Sequence, residues 1–403
     1  MEYDVVIVGA GPAGSTVAKN LAEKGINVLI LDKAQFPRDK SCGGGLPTRV
    51  MKRFPYIEPF IDSVSYGSIT YSSSLRYKFD LIREKPLVMM VLRKDFDHGL
   101  LKLAIDAGAV FQSGKSVVDV VVQNEKASVM LDDGHTIETK IVVGCDGMRS
   151  IVAEKTGLCK KLEVLCVSLV QEQPLTPKQM TTYFTKKRLI HLFIKAQGIA
   201  GYGWVFPKKT CVNVGIGEFQ SAISKSKPKI PLKETYESFI VMLKKQKILP
   251  EEFPIENLKG ATLPIFPLED TAGDRVLLCG DAAGFINPIT GEGIYYAMVS
   301  GSIAASVIMD GLKADDLSSR FLSRYQTSWI HEFGKDLKLL GRFNNQWGKD
   351  SEKIVRLMNR DLKFAKLIVG VTGGQISITK YKGALIIRFL YALIKDLFKM
   401  KKK

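Results

Sequence analysis

The glycine-rich turn at residues 9–14 is the feature of this sequence that most constrains its fold. It follows an apolar, β-branched run over residues 3–8 of the kind buried in parallel sheets, and it precedes a helical pattern over residues 15–24. A second strand-like run, residues 27–31, ends in Asp32. A strand, a glycine turn, a helix, a second strand and an acid in this order predict the βαβ unit of a dinucleotide-binding α/β domain.

Each glycine of the turn has a distinct expected role. Gly9 permits the tight turn, Gly11 lets the backbone approach a pyrophosphate, and Gly14 lets the helix pack closely on the strand. The helix N-terminus offers free N–H groups to the phosphates. Asp32, 18 residues after Gly14, lies where a carboxylate accepts hydrogen bonds from a ribose. A glycine turn without a ligand is the alternative, and the fingerprint alone does not separate NAD from FAD.

Three distant segments decide between these cofactors. An apolar strand pattern at residues 275–280 ends in Asp281, and the glycine turn at residues 288–294 opens a small-residue helix. An acid after a strand can hold a ribityl hydroxyl, and a glycine turn at a helix N-terminus can approach a flavin ring and stabilise negative charge on it. Another apolar strand ends in Asp146, and Arg93 precedes a further helical pattern.

These segments, taken with the first glycine turn, resemble the FAD-binding domain of the flavoprotein superfamily that includes p-hydroxybenzoate hydroxylase, and they follow its order. The resemblance covers the FAD-binding segments of about the first 310 residues, and it implies FAD as the cofactor. The contacts it implies are the pyrophosphate on Gly9, Gly11, Ala13 and Gly14, the ribose on Asp32, the ribityl-phosphate arm on Arg93 and Asp281, the adenine side on the backbone of Val118, and the ring on Gly293 and Ile294.

A cysteine followed by three glycines lies within residues 36–46. The segment resembles the cysteine-glycine signature of the geranylgeranyl reductase family, flavoenzymes that saturate isoprenoid double bonds. Ser41 departs from the proline that is commonest in the family. The resemblance implies that the backbone at Gly43 and Gly45 lies against the flavin ring, and that Cys42 either donates a proton or tunes the flavin. The alternative is that Cys42 is only a small residue that fits.

A second signature of the same family lies at residues 201–207, which resemble its Tyr-x-Trp-x-Phe-Pro strand, with its Gly-x-Gly pattern at residues 215–217. Period-two alternation places Tyr202, Trp204 and Phe206 on one face of the strand. The resemblance implies that this face lines the substrate pocket, and an aromatic face suits a long hydrocarbon. The alternative is that the three rings are ordinary sheet core.

Strand-like runs at residues 164–172, 189–196 and 211–217 predict an antiparallel sheet inserted between the FAD-domain segments. We therefore expect an α/β fold with a Rossmann-like, parallel-sheet FAD domain, an antiparallel-sheet substrate domain and a C-terminal helical region. The expected boundaries are 1–60, 88–160 and 270–312 for the FAD domain, 61–87 and 161–269 for the substrate domain, and 313–403 for the helical region.

The formal net charge of +17 predicts an acidic partner such as nucleic acid, anionic lipid or a phosphorylated substrate. Residues 384–400 predict an amphipathic helix, and Lys401, Lys402 and Lys403 follow it. Such a helix suits an anionic membrane surface, and the alternative is a helix docked on the protein's own core. We expect a cytoplasmic protein, peripheral on the inner face of the membrane, without nucleic acid as a partner.

The cysteine and histidine pattern shows no C-x-x-C pair and no zinc spacing, so we expect no metal site. The start of the chain shows no positively charged leader before an apolar stretch, which argues against export. Apolar runs stay shorter than the roughly 18 residues that a bilayer-spanning helix needs.

The resemblance implies an FAD-dependent reductase that saturates the isoprenoid double bonds of a geranylgeranyl lipid. Reduced flavin passes a hydride from N5 to one alkene carbon, and an acid, for which Cys42 is the candidate, protonates the other. The reaction needs an external electron donor, which the sequence leaves open between ferredoxin, NAD(P)H and a quinol. A monooxygenase, hydroxylase or halogenase of the same superfamily is the first alternative. A flavoprotein that passes electrons at the membrane is the second.

Overall fold

The computed structural model describes residues 3–159, 165–219, 230–344 and 350–400. The chain divides into two compact units: unit 1 comprises Met1–Lys40, Arg93–Glu163 and Leu263–Lys338, and unit 2 comprises Ser41–Leu92, Val164–Thr262 and Leu339–Lys403. This division groups residues 41–60 and 339–403 with unit 2, whereas the predicted boundaries place residues 41–60 in the FAD domain and residues 339–403 in a separate helical region. The domain boundaries given there stay a prediction.

The strands in the described residues are β1 (Tyr3–Val8), β2 (Val28–Asp32), β3 (Gly45–Pro47), β4 (Ser63–Ser65), β5 (Gly67–Tyr71), β6 (Lys78–Ile82), β7 (Val88–Met90), β8 (Val110–Ser113), β9 (Val117–Val122), β10 (Ala127–Leu131), β11 (Thr136–Gly144), β12 (Leu165–Pro174), β13 (Ile190–Ile194), β14 (Gly201–Pro207), β15 (Cys211–Phe219), β16 (Lys259–Pro264), β17 (Ala272–Gly273) and β18 (Val276–Leu278). The helices are α1 (Pro12–Ala22), α2 (Arg49–Arg53), α3 (Arg93–Asp106), α4 (Ile151–Lys155), α5 (Pro177–Phe184), α6 (Leu232–Lys245), α7 (Ile294–Ala314), α8 (Ser319–Trp329), α9 (Lys335–Asn344), α10 (Ser351–Arg360), α11 (Leu362–Thr372) and α12 (Ile378–Met400).

Unit 1 is built on an eight-stranded sheet whose main path runs β17-β18-β11-β1-β2-β8. Strand β1 pairs in parallel with β2 and β11, and the same direction continues to β8 and β18. Strands β9 and β10 extend from β11 in antiparallel pairs. Val5, Val6 and Ile7 are fully buried in the centre of the sheet, which is why β1 is a continuous apolar run. The predicted parallel-sheet, Rossmann-like architecture is confirmed.

Helices α1 and α7 of unit 1 approach each other through small residues. A Cβ atom built on Gly301 would lie 2.7 Å from the carbonyl oxygen of Ala13, so this close packing requires glycine. Among the described residues, α7 is the one helix that is long and apolar enough to cross a membrane by length and composition. However, 72% of its apolar window is buried inside the protein, as is typical of a core helix.

Unit 2 contains a seven-stranded sheet in the order β16-β12-β15-β14-β13-β5-β6 and a three-stranded sheet in the order β3-β7-β4. Strands β12, β15, β14 and β13 run antiparallel to one another in turn, and only the pairing of β13 with β5 is parallel among the pairs described. Helix α6 covers this sheet by burying Tyr236, Phe239 and Leu243 against Val205 and Val214. The predicted antiparallel sheet is therefore confirmed.

The apolar residues of α12 divide between two faces. Leu385, Phe389 and Leu393 pack on a cluster of buried residues from α10, α11 and β6. The opposite side, which we call the outer face of α12, is 44–68% exposed and consists of Ile386, Ile387, Leu390, Tyr391, Ile394, Leu397 and Phe398. The helix thus docks on its own unit and still leaves an apolar surface uncovered. The predicted basic end at Lys401 to Lys403 lies outside the described residues.

Two buried acids fix α12 to the helices before it. The carboxylate of Asp396 accepts hydrogen bonds from Arg356 Nε at 2.9 Å and from Arg360 Nε at 3.0 Å. Asp361, which also caps α11, lies 3.7 Å from Arg388 and 3.9 Å from Lys395 of α12. Arg388 and Lys395, two basic residues of the predicted amphipathic helix, therefore face an acid of their own unit.

Candidate functional sites

The glycine turn of unit 1 is held by contacts that exclude side chains at two positions. Gly9 has a φ of +103°, and a Cβ on it would lie 2.3 Å from the carbonyl oxygen of Cys145. A Cβ on Gly14 would lie 1.9 Å from the carbonyl oxygen of Gly9. Since no Cβ atom fits at such distances, both glycines are required by the packing of the turn itself, whether or not a ligand is bound.

Gly11 differs because the protein leaves space beside it. It caps the N-terminus of α1, and a Cβ on it would meet, among the described residues beyond its neighbours, only Arg38 Nη2 at 3.6 Å. Packing therefore does not explain a glycine here. An open surface over the first turn of a helix, with free N–H groups and a guanidinium beside it, fits a phosphate group.

Arg38 belongs to a charged cluster with Arg93 and Asp97 that no sequence motif predicts. Asp97, which is fully buried, accepts two hydrogen bonds from Arg93, at 2.8 Å from Nε and 2.7 Å from Nη2. Arg38 Nη1 lies 3.1 Å from the same carboxylate, and its guanidinium stacks 4.8 Å over the ring of Phe36. Two arginines share one acid, so the cluster keeps a positive charge suited to a phosphate. The four-residue spacing of Arg93 and Asp97 is the only local signal of it.

Asp32 lies at the end of β2 and binds the glycine turn. Its Oδ2 accepts a hydrogen bond from the backbone N–H of Ala10 at 2.8 Å, and its Oδ1 accepts one from Ala34 at 2.8 Å. A carboxylate oxygen has two lone-pair sites, so each oxygen keeps capacity for a hydroxyl donor. The acid can hold the turn and a ribose together.

Asp281 lies at the start of the turn between β18 and α7, close to the N-terminus of that helix. A Cβ on Gly293, which caps α7, would lie 3.3 Å from Asp281 Oδ1, and Ile294 beside it is buried. Burial raises the pKa of the Asp281 carboxyl, while the positive charges of Lys40 and Arg93 lower it in part. A Cβ on Gly280 would lie 3.2 Å from Ala13 Cβ, which brings this turn next to α1.

A further acid of unit 1, Asp146, completes the candidate cofactor site. Asp146 Oδ1 is buried and has no hydrogen-bond partner among the described residues, whereas Oδ2 accepts a 3.3 Å bond from the N–H of Val152. Burial raises the pKa of Asp146 to about 6. A bound dinucleotide would explain both features of this site. Its hydroxyl groups can donate to the buried oxygen of Asp146, and its phosphates can lie against the glycine turn at Gly11. Val118 lies on β9 with its side chain 41% exposed, and no contact described here joins it to these residues.

The cysteine-glycine bend of unit 2 is a second candidate site. Cys42 is half-buried, and its Sγ accepts a hydrogen bond from the N–H of Gly44 at 3.3 Å. Gly44 has a φ of +73°, and a Cβ on it would lie 2.2 Å from the carbonyl oxygen of Val91, so the bend requires glycine there. The thiol is held in a tight turn of backbone.

The three predicted aromatic residues lie on one face of β14, and two of them, Trp204 and Phe206, lie against this bend. The ring centroids of Tyr202 and Trp204 are 5.6 Å apart, and those of Trp204 and Phe206 are 6.2 Å apart. A Cβ on Gly43 would lie 3.0 Å from the Phe206 ring and 3.3 Å from Trp204 Nε1, and one on Gly45 would lie 3.3 Å from Phe206. The backbone of the bend therefore lies flat against an aromatic row.

The glycines of β15 make room for the central ring of that row. A Cβ on Gly215 would lie 2.2 Å from the Trp204 indole, and one on Gly217 would lie 3.7 Å from it. Trp204 Nε1 donates a 2.9 Å hydrogen bond to Asn213 Oδ1, so the indole is fixed at both its face and its edge. Sequence reasoning did not single out Asn213, although it is a polar residue within the apolar run that forms β15.

Comparisons with known proteins agree on the class of cofactor. The family described as "FAD binding domain" matches residues 2–326. The chain is 32% identical to digeranylgeranylglycerophospholipid reductase 1 of Methanopyrus kandleri, over 83% of this chain and 87% of that protein.

Two solved structures share the fold. A geranylgeranyl bacteriochlorophyll reductase-like protein from Thermoplasma acidophilum matches with a TM-score of 0.78 and 23% identity, covering 94% of this chain and 98% of that one. Halogenase PltM in complex with phloroglucinol and FAD matches with a TM-score of 0.71 and 18% identity, covering 97% and 86%. At these identities the structural likeness shows the fold alone.

Proposed function

The chain belongs to the FAD binding domain family and, within it, to the geranylgeranyl reductases, and from this membership we propose that it reduces isoprenoid double bonds of a geranylgeranyl lipid. The proposed substrate is a glycerophospholipid that carries geranylgeranyl chains, because the relative from Methanopyrus kandleri is named for such a lipid and aligns over 83% of this chain. The enzyme is an FAD-dependent oxidoreductase that acts on C=C bonds.

Unit 1 supplies the residues that hold FAD in this proposal. Gly11 and the N-terminus of α1 bind the pyrophosphate beside Arg38, and Asp32 binds the ribose. Arg93 and Asp281 hold the ribityl-phosphate arm, the remaining assignments being those implied by the family resemblance. When bound and reduced, FAD supplies a hydride for one alkene carbon. The chain's own residues then need only to orient the lipid, exclude water and deliver a proton.

Unit 2 supplies the groups for substrate and proton. Tyr202, Trp204 and Phe206 present a row of rings on which an unsaturated hydrocarbon can lie. Cys42 Sγ is the proposed proton donor to the second alkene carbon. Burial raises the pKa of the Tyr202 phenol, which makes it a poorer acid than an ordinary tyrosine. The single observation that carries the proposal is the contact of this aromatic row with the Cys42 bend, in a chain 32% identical to a named prenyl lipid reductase.

The outer face of α12 supports a membrane-bound location for this activity. Ile387 and Phe398 are 67% and 68% exposed, and Lys380 and Lys382 are exposed at the start of the same helix. An uncovered apolar strip with basic residues along it fits the surface of an anionic bilayer, which is also where the lipid substrate lies. We place the protein at the cytoplasmic membrane surface on these grounds.

The test is anaerobic turnover with a panel of lipids. Dithionite-reduced holoenzyme is incubated with geranylgeranyl glycerophospholipids, geranylgeranyl diphosphate and geranylgeraniol, and products are measured by mass spectrometry. We expect one lipid to gain hydrogen in pairs without oxygen. A product that contains oxygen or halogen, formed only when oxygen is present, would instead identify a hydroxylase or halogenase. Parallel anaerobic assays of FAD reduction by reduced ferredoxin, NADH and NADPH identify the electron donor.

A further inference from the structure

Among the residues that the structure describes, Asn213 is the one buried amide on the face of the unit 2 sheet that carries the aromatic row. In the sheet it pairs directly with Phe206 of β14 and with Glu172 of β12, so the three side chains share a face. On the same side of β15, Cys211 precedes it, and Gly215 and Gly217, which have no side chain, follow it. Asn213 is only 2% exposed, and a buried amide is costly unless its hydrogen bonds are made.

The three partners of Asn213 fix the orientation of its amide. Trp204 Nε1 is a donor only, so the atom that faces it at 2.9 Å must be the amide oxygen. The nitrogen Nδ2 then faces two acceptors, the carbonyl oxygen of Cys42 at 3.0 Å and Glu172 Oε2 at 3.2 Å. Each hydrogen of Nδ2 is therefore donated to one acceptor. If the amide were flipped, its nitrogen would face the donor Trp204 and its oxygen would face two acceptors, so all three hydrogen bonds would be lost.

A charged pair holds the Glu172 end of this arrangement. Lys208, which is 1% exposed, forms an ion pair with Glu172 Oε2, the same oxygen that accepts from Asn213. A Cβ on Gly44 would lie 3.1 Å from Lys208 Nζ, so the ammonium also stands directly beside the cysteine-glycine bend. The arrangement therefore contacts the bend at two points. The amide of Asn213 binds the carbonyl of Cys42, and the ammonium of Lys208 lies beside the backbone of Gly44.

We propose that Asn213 is a positioning residue, whose amide, oriented by Trp204 and by the Glu172–Lys208 pair, holds the Cys42 bend so that the thiol stays in its reactive place. This inference rests on the role proposed above for Cys42. In this role Asn213 acts through the peptide carbonyl of Cys42, to which its Nδ2 donates at 3.0 Å, and not by binding substrate or transferring a proton. Its removal frees the bend while the cofactor-binding residues of unit 1 are left as they are.

The test compares Asn213→Ala and Asn213→Ser with wild-type holoenzyme. The hydroxyl of serine can donate to only one acceptor, so we expect the two variants to be graded. Turnover is expressed per bound flavin, so that only folded holoenzyme is counted. We expect kcat to fall by about 10- to 100-fold for Asn213→Ala and less for Asn213→Ser, because misplacement of a reacting group by about an ångström costs this much. The KM for the lipid should change less than about threefold, because Trp204 loses one hydrogen bond but keeps its packing against Gly215, Tyr202 and Phe206.

Alkylation of Cys42 supplies a readout that does not depend on turnover. Iodoacetamide labelling of the native holoenzyme, followed by peptide mass spectrometry, measures how freely the bend moves. We expect Cys42 to react about tenfold faster in Asn213→Ala, because its carbonyl is no longer held. Gln173→Ala is the matched control: this amide lies on the neighbouring strand β12 and donates to Glu256 at the surface, outside the arrangement. It should leave both kcat and labelling unchanged.

Unchanged kcat and unchanged labelling in Asn213→Ala would overturn the inference. A fall in kcat without faster labelling of Cys42 would also overturn it, since the loss would then not arise from a freed bend. The proposed function fails in a different way: Cys42→Ala would retain full turnover, or no lipid would be reduced by the wild type. If Cys42→Ala retains full turnover, the labelling of Cys42 in Asn213→Ala still measures whether Asn213 restrains the bend.

Discussion

The carboxylate of Asp32 accepts a hydrogen bond from the backbone N–H of Ala10 at 2.8 Å, across the 22 residues that separate the end of β2 from the glycine turn. The second carboxylate oxygen accepts a hydrogen bond from the backbone N–H of Ala34. Asp32 therefore binds the glycine turn with one oxygen and the loop after β2 with the other. A residue expected to bind ribose thus also stabilises the backbone of the glycine turn. Its replacement should therefore affect the apoprotein as well as the affinity for FAD.

Asp32→Ala should weaken both stability and FAD binding. The variant leaves the N–H groups of Ala10 and Ala34 without their charged acceptor, which costs about 2–4 kcal/mol of unfolding free energy. Urea unfolding of the apoprotein measures this loss, and the 450 nm absorbance of purified protein measures retained flavin. Asp32→Asn is the matched variant, because its amide oxygen can still accept from one of the two N–H groups. Stoichiometric FAD in Asp32→Ala would show that Asp32 does not bind the ribose.

Gly11→Ala should separate ligand binding from packing. Within the described part of the chain its added Cβ meets only Arg38 Nη2, at 3.6 Å, and its φ is −73°. The apoprotein should therefore lose no more than about 1 kcal/mol, the usual cost of alanine at a helix N-cap. FAD should bind at least about tenfold more weakly, since the methyl group occupies the place of the pyrophosphate. Titration of apoprotein with FAD, followed by quenching of flavin fluorescence, measures the change.

The control for that variant is Gly9→Ala in the same turn. There the Cβ would lie 2.3 Å from the carbonyl oxygen of Cys145 and φ is +103°, so the apoprotein itself should be destabilised or fail to fold. Equal FAD affinity in Gly11→Ala and the wild type would contradict a pyrophosphate at Gly11.

Local patterns in the sequence were sufficient to predict the βαβ unit, the antiparallel sheet and the common face of Tyr202, Trp204 and Phe206. These features depend on the spacing of apolar residues along the chain. A repeat of two residues indicates a strand and a repeat of 3.6 residues indicates a helix, and both can be read without knowing the tertiary contacts. The expected amphipathic helix at residues 384–400 was correct as an element. What the pattern did not show is that Leu385 and Phe389 dock on unit 2 while Ile386 and Leu390 stay exposed, because hydropathy alone does not say which apolar side is covered.

The polar groups that support the sites could not be predicted, because they meet only in three dimensions. Asn213 follows Cys42 by 171 residues, and no window of sequence relates the two. Arg38 was within the recognised cysteine-glycine segment, yet its place beside Gly11 depends on how the chain returns over α1. Secondary-structure elements and motifs can thus be predicted from the sequence. The side chains that support a motif from distant parts of the chain cannot.

Cys42→Ala should keep FAD and lose most alkene reduction. The side chain makes only one described hydrogen bond, from the N–H of Gly44, so its loss should change stability little. Without the thiol the alkene lacks its proposed proton donor, and kcat should fall by about 10²- to 10⁴-fold, as is usual when a general acid is removed. Cys159→Ala is the control thiol, because Cys159 is likewise half-buried but belongs to unit 1. Turnover equal to the wild type in Cys42→Ala would remove the thiol from the mechanism.

The stability of the apoprotein should depend on pH through Asp146. Its pKa is about 6 in the folded protein, raised by burial above the usual 3.8, so between these values the native state holds a proton that the unfolded state has lost. Stability therefore falls as the pH rises from about 4 to 6, by up to about 3 kcal/mol, and stays lower above that range. Asp146→Asn, which cannot ionise, should lose this part of the pH dependence. Urea unfolding of both apoproteins at pH 4.5 and 7.5 measures the difference, and parallel curves would show that Asp146 does not carry the effect.

Charge on the outer face of α12 should release the protein from anionic membranes without unfolding it. Ile387 and Leu390 are 67% and 53% exposed, so the double substitution Ile387→Asp and Leu390→Asp should change the unfolding free energy by less than about 1 kcal/mol. It removes apolar area from the membrane-facing side and adds two charges that anionic lipid repels, so sedimentation with phosphatidylglycerol vesicles should fall at least about tenfold. Val241→Asp is the matched control, because Val241 is 63% exposed on α6 and is not part of this surface. If the double variant sediments with vesicles as the wild type does, the outer face of α12 is not the surface that binds the membrane.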